Sequence, residues 1–294
     1  MQSPFGRLPL DELVRQFLSS AAAGILRPGT LLYYRTQLTH LVEDLGGHTL
    51  VALVRSTDLE RVCVKRSRVQ VAKRLFRWAS RAGLGRNPAQ DLIAPPVGTR
   101  DRVVTRQEVA ELLATCSRDF ARLLQLAYRT GARPGELRAL TWANVDLAER
   151  RAVLTVFKCR ARRRDGVRHR VILLDRRSLR ILSRWKQERQ PKMSDPVLLT
   201  ARGVGWTPTA VRLRMRRLRR KLGPDFAGVC VYTMRHTRAT ELLQARTPDS
   251  MVAELLGHTD VRTTRRYLHP VRADLLEVLD AAADRHLKPT IRAR

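Results

Sequence analysis

The sequence predicts a two-domain, mainly α-helical protein with a small antiparallel β-sheet in the second domain. Three observations carry this. Apolar residues recur at helical spacing through most of the 294 residues. The pattern breaks at Ala94-Pro95-Pro96-Val97-Gly98, where adjacent prolines followed by a glycine call for extended chain. One pair of β-like runs, Val153 to Phe157 and Val167 to Leu174, flanks a basic turn from Arg160 to Arg168 and reads as a hairpin. The length suffices for two cores, and the expected boundaries are residues 1–94, a connector at 95–104, and residues 105–294.

Residues 10–23 and 30–45 are the first expected helices, the second with Leu31, Tyr34, Leu38, Leu41, Val42 and Leu45 on one stripe. Gly46-Gly47 stops it. A short helix from Thr57-Asp58 to about Val64 precedes one from Ser67, with Val71, Leu75, Trp78 and Ala79 on one side and Gly83-Leu84-Gly85 at its end. In the second domain, Thr105-Arg106-Gln107-Glu108 reads as a capping box, because the hydroxyl and the carboxylate can each satisfy an amide at a helix start. Further helices are expected at 118–130, 208–222, 234–245, 248–256, 260–267 and 273–285.

The charge balance narrows the function classes. There are 57 Lys and Arg against 27 Asp and Glu, a net charge of +30. The excess runs through both parts, 14 against 7 in residues 1–95 and 43 against 20 after them. A pI near 11.6 favours a polyanionic partner, of which nucleic acid is the commonest. No apolar run reaches the roughly 18 residues of a membrane span, and the N-terminus lacks the apolar core of a signal peptide, so a soluble, cytoplasmic protein with no membrane partner is expected. Cys63, Cys116, Cys159 and Cys230 are scattered and form no C-x-x-C pair, which suggests neither a zinc site nor a disulfide framework.

Three segments gather groups suited to phosphate chemistry. In Thr130-Gly131-Ala132-Arg133-Pro134-Gly135-Glu136-Leu137, Arg133 precedes a proline and is driven out of helical geometry, while Pro134 suits the first position of a helix. The guanidinium is thereby placed at a helix N-terminus, where the dipole and its own planar fork favour an anion, with Glu136 near enough to orient it. In Tyr232-Thr233-Met234-Arg235-His236, a second arginine lies where a helix is expected to begin and could grip the same phosphate. In the third segment Gly257 suits the left-handed position that closes a helix, and Thr259 or Asp260 can cap the next. His258 then sits in the turn, and Tyr267 follows it by nine positions.

A tyrosine phenol titrates at about 10 and attacks poorly unless neighbours stabilise the phenolate and the charge growing on its target. Lys158, at the end of the first hairpin strand, is a candidate general acid. Two arginines, a lysine, a histidine and a tyrosine suit transesterification at a phosphodiester. The arginines would neutralise the transition state, the phenol would displace a sugar oxygen, and the lysine would protonate it, with no metal or other cofactor and no small-molecule substrate.

In order and spacing these pieces resemble the tyrosine recombinases of the phage integrase family. The likeness spans nearly the whole chain: residues 8–94 are similar to a SAM-like helical core-binding domain and residues 105–285 to the integrase-type catalytic domain. The resemblance implies a site-specific recombinase that cleaves and rejoins double-stranded DNA through a 3′-phosphotyrosyl intermediate. By it, Arg133 and Arg235 bind the scissile phosphate, Glu136 supports the site, Lys158 protonates the leaving 5′ oxygen, His258 hydrogen-bonds the phosphate and Tyr267 is the nucleophile. It also implies a homotetramer on two paired DNA sites, with the 273–285 helix docking on a neighbour or packing on its own domain. One position departs: the family usually has histidine three residues before its second arginine, where this chain has Tyr232. A tyrosine can donate a hydrogen bond there but carries no imidazolium charge, and His236 is a rival for the role. His269, just after Tyr267, reads as structural.

Two other readings stay open at this level. A type IB topoisomerase-like enzyme would use a similar site to relax supercoils, and a DNA-binding regulator would have lost catalysis, although a pure binder has no use for Tyr267 or Lys158. All three share one expectation. Affinity for duplex DNA should fall about a thousandfold or more between roughly 50 and 200 mM salt if six or more phosphates are contacted, and titration by fluorescence anisotropy across that range tests it. A flat response would rule out a binding mode built on the charge excess.

Overall fold

The computed structural model describes residues 7–26, 28–96, 102–155 and 169–258, to which the structural statements below refer. The chain divides into two compact units, Met1–Thr99 and Arg100–Arg294.

The first unit is helical: α1 Leu10–Ser19, α2 Ala21–Gly24, α3 Pro28–Leu45, α4 Ser56–Val62 and α5 Arg66–Ala79, the last followed by a π turn at Ser80–Leu84. Leu13 and Phe17 of α1, Leu38 and Leu41 of α3, and Leu75 and Phe76 of α5 are buried together in its core. The helix expected over 10–23 is two helices. Ser20 takes an extended conformation, and its Oγ donates to the Phe17 carbonyl at 2.6 Å, a side-chain bond that competes with continuation of the helix. Pro28 and Gly29 open α3 where they were expected only to precede it, since a proline in the first helical turn gives up an amide that has no helical partner in any case.

The second unit opens with α6 Arg106–Thr115, whose start is the expected capping box: Glu108 N donates to Thr105 Oγ1 at 3.1 Å and Thr105 N to Glu108 Oε2 at 2.7 Å. Next come α7 Arg118–Thr130 and α8 Pro134–Ala139, then a sheet of β1 Val145–Asp146, β2 Arg151–Leu154 and β3 Arg170–Leu173. It is antiparallel in the order β1-β2-β3, with Ala152 opposite Ile172 in the register. The first hairpin strand therefore begins two residues before the expected Val153 and is described only to Leu154; Phe157 and the turn lie outside the described residues.

Beyond the sheet lie α9 Arg176–Arg189, α10 Pro208–Leu222, α11 Val231–Gln244 and α12 Asp249–Leu256. Helix α9 escapes the sequence reading because its buried side chains are only Ser178, Leu182 and Trp185, set among many basic residues. Its start is fixed by Asp175, whose Oδ1 accepts from Ser178 N at 2.7 Å. Helix α11 begins three residues earlier than expected, where Cys230 N donates to Thr233 Oγ1 at 3.0 Å. Arg235 consequently stands in the second turn of α11, not at its start. Phe120, Leu123, Ile172 and Met234 lie in the main core, and Ala239, Val252 and Leu256 join α11 to α12 in a small cluster. The helices expected at 260–267 and 273–285 lie outside the described residues. Among the described residues no helix is long and apolar enough to cross a membrane.

Cys63, Cys116 and Cys230 are free thiols. Burial pushes Cys63 and Cys116 up to about 11, which keeps them protonated at pH 8. Because the thiolate is the nucleophile, both should be alkylated by iodoacetamide much more slowly in the native protein than in urea. Peptide mapping after a timed pulse checks this, and equal native and denatured rates would contradict the packing.

Candidate active site

Helices α7 and α12 of the second unit end on glycines in the αL conformation, at Gly131 with φ +62° and at Gly257 with φ +66°. At the end of α12, Gly257 N donates to Glu254 O and His258 N to Ala253 O, both at 2.8 Å, the paired bonds of a Schellman closure. Each turn directs a carbonyl at an arginine from a distant part of the chain. Gly131 O accepts from Arg235 Nη1 at 2.7 Å, and Gly257 O accepts from Arg133 Nη2 at 3.1 Å. Neither glycine has room for a side chain: a Cβ at Gly131 would meet Leu256 Cδ2 at 2.5 Å, and one at Gly257 would meet Arg170 Nε at 2.6 Å.

Arg133 caps α8 in the extended conformation that Pro134 imposes. Glu136 holds it twice, accepting from the Arg133 backbone N at Oε2 (2.9 Å) and from Nη1 at Oε1 (2.7 Å). The Glu136 side chain is only 4% exposed and that of Arg133 25%, so Arg133 is the member of this pair that solvent or a ligand can reach. Arg235 is fully buried, where the low dielectric strengthens the field of its charge.

A third guanidinium, which the sequence motifs do not single out, joins this group. Arg170, the first residue of β3, is 4% exposed, with Nε 3.5 Å from Glu136 Oε2, an ion pair longer than a hydrogen bond. Its Nη2 donates to Leu255 O at 2.8 Å and its Nη1 to Val171 O. Burial holds it below the ordinary arginine value and the neighbouring Arg133 adds to that, while Glu136 opposes both. The signal lies in the phase of the strand: Arg170 shares a face with buried Ile172, so the alternation turns it inward, where a cation needs an anion.

Of the residues expected to form the site, Arg133, Glu136 and the Gly257-His258 turn are joined through hydrogen bonds, and Arg235 is bonded to the Gly131 turn two residues before Arg133. His258 lines a cleft of about 540 Å³ together with His169, Arg170, Met251, Val252 and Gly257. Tyr232 is in the first turn of α11, one turn before Arg235, and its ring packs at a steep angle to that of His236 with centroids 4.9 Å apart. Lys158 and Tyr267 lie outside the described residues. Among the described residues no cluster of His, Cys, Asp and Glu could hold a metal ion.

Residues 102–273 match the phage integrase family. The chain is 32% identical to the tyrosine recombinase XerC of Alcanivorax borkumensis, over 71% of this chain and 70% of that protein. Its fold is similar to that of the Tn1549 transposon integrase solved in complex with transposon right end DNA, with a TM-score of 0.72 and 16% identity over 94% of this chain and 100% of that one. It is also similar to that of a lambda integrase solved as a tetramer bound to a Holliday junction, with a TM-score of 0.69 and 17% identity over 87% and 79%.

The packing at Gly257 makes a measurable demand. An alanine in the left-handed region costs about 1–2 kcal/mol from the backbone alone. Gly203 has φ +75° and nothing within 4 Å of where a Cβ would stand, so Gly203→Ala isolates that backbone cost. Gly257→Ala should lose clearly more stability than this control in urea unfolding, because Arg170 must also be displaced. Equal losses would mean that Arg170 does not press on the turn.

Proposed function

The chain belongs to the phage integrase family, and on that premise we propose a site-specific tyrosine recombinase that cleaves and rejoins duplex DNA through a 3′-phosphotyrosyl intermediate. The observation that carries the reading is the linkage of Arg133, Glu136 and the Gly257-His258 turn, with Arg235 anchored on the neighbouring Gly131 carbonyl. It provides two guanidiniums oriented by backbone carbonyls, one of them bonded to the residue before His258, in a setting where fixed donors act strongly on a developing charge.

In this reading the Tyr267 phenol attacks the scissile phosphorus and gives its proton to solvent water as the new P–O bond forms. The 5′ oxygen leaves and takes a proton from Lys158. Arg133 and Arg235 stabilise the pentavalent phosphate, His258 donates to one of its oxygens, and Glu136 keeps Arg133 in register. Tyr232 offers a hydroxyl where relatives of the family usually have an imidazole. Because the phosphodiester energy is kept in the tyrosyl link, rejoining by the reverse attack requires no ATP.

We assign the first unit to core binding and the second to catalysis. The assembly we propose is a homotetramer on two paired sites, working in the cytoplasm on the nucleoid. The net charge of +30 supports a duplex DNA partner, and so does the cleft of about 850 Å³ flanked by Arg106, Arg177, Arg180, Arg184 and Arg238.

Tyr267→Phe removes one oxygen, so DNA affinity should persist while the covalent adduct disappears. A nicked suicide duplex, resolved under denaturing conditions and mapped to the DNA-bearing peptide, tests this; an adduct on any other residue would overturn the mechanism. Arg133→Lys and Arg235→Lys keep the charge but lose the fork, and each should slow cleavage by about a hundredfold or more. Tyr232→Phe should slow cleavage and His236→Ala should not; the opposite pattern would move the phosphate contact to His236.

A further inference from the structure

Glu136 is shared. Its carboxylate accepts two hydrogen bonds from Arg133, and on the side of Oε2 it faces Arg170. Arg170 in turn ties three elements together: it belongs to β3, it donates through Nη2 to the last turn of α12 at Leu255 O, and it stands against Glu136 in α8. The backbone of Gly257 lies directly over it, with Nε, Cδ and Cζ all within 3 Å of where a Cβ would be.

Two consequences follow for Arg133. The first is geometric. Arg133 must reach Glu136 with Nη1 and Gly257 O with Nη2 at once, and Arg170 fixes the spacing of those two acceptors by holding both of their elements. The second is electrostatic. A buried carboxylate facing one guanidinium would neutralise it, whereas one divided between two leaves a net positive charge on the group. Arg133, the more exposed of the two, is where that charge meets a ligand.

We propose that Arg170 is a positioning residue for phosphoryl transfer: it shares the Glu136 carboxylate so that Arg133 keeps both its aim and its positive charge for the scissile phosphate. The inference rests on the recombinase reading, since it concerns the rate at which Tyr267 attacks. In this proposal Arg170 acts through Glu136.

The test compares the full-length protein with Arg170→Met, Arg170→Lys, Glu136→Gln and the double variant Arg170→Met/Glu136→Gln. Single-turnover cleavage is measured at saturating nicked suicide duplex, normalised to the fraction folded by thermal melting, with DNA affinity by anisotropy. Arg170→Met should slow cleavage by about tenfold or more while affinity changes little. Arg170→Lys should recover part of the rate. The discriminating result is the double variant, which should cleave faster than Arg170→Met alone, because neutralising Glu136 frees Arg133 from a carboxylate it no longer shares. A merely structural role gives the reverse, a double variant no better than the single one, and that outcome overturns the proposal, as does a normalised Arg170→Met rate equal to wild type. Should the wild-type chain form no adduct, the recombinase reading falls and the proposal falls with it; an active wild type with an unaffected Arg170→Met sinks the proposal alone.

Discussion

A carboxylate shut away from water has to be matched by cations, and in the second unit that carboxylate is Glu136. Burying an unpaired ion costs several kcal/mol, which Arg133 and Arg170 offset from two sides. The pairing reaches well beyond the ions. Glu136 satisfies the amide of Arg133 at the start of α8, Arg133 reaches the turn that closes α12, and Arg170 carries β3 to the same turn. Elements far apart in sequence are therefore held at one point by a charge that none of them can leave unpaired.

The other half of the arrangement uses helix ends. An α-helix leaves its last carbonyls without partners, and its dipole makes that end negative. Both α7 and α12 turn away through left-handed glycines, and in both cases the carbonyl of that glycine is met by an arginine. The guanidiniums assigned to the phosphate are thus each held by a carbonyl at a helix C-terminus, which stabilises their charge. A lysine at either place could satisfy one acceptor, but it lacks the planar fork that lets Arg133 hold Glu136 and Gly257 together.

Much of this was legible in the chain. Arg133-Pro134 dictates its own backbone, Gly257 announces a left-handed turn, and Thr105 with Glu108 spells a capping box, because in each case local sterics or local hydrogen bonding decides the outcome. What escaped depended on distance or phase. Arg170 lies in a run recognised for its apolar residues, and its inward orientation follows only once the strand's phase is tied to Ile172 and a partner is found on α8. Helix α9 offers few apolar side chains for a periodicity to register. Ser20 divides a helix through a hydrogen bond to its own preceding turn, and Thr233 starts α11 early in a comparable way; both are choices among local bonds that propensity leaves evenly balanced.

The span of the two arginine-to-glycine bonds bears on when the site can exist during synthesis. Gly131 waits 104 residues for Arg235, and Arg133 waits 124 for the carbonyl of Gly257. Contacts of such long sequence separation close late, after the loop entropy between them has been met by the rest of the core. On a ribosome, where the N-terminal part emerges first, Arg133 is made early and stays without one of its two anchors until α12 is out. A growing chain therefore carries much of its basic charge before the bond from Arg133 to Gly257 can close.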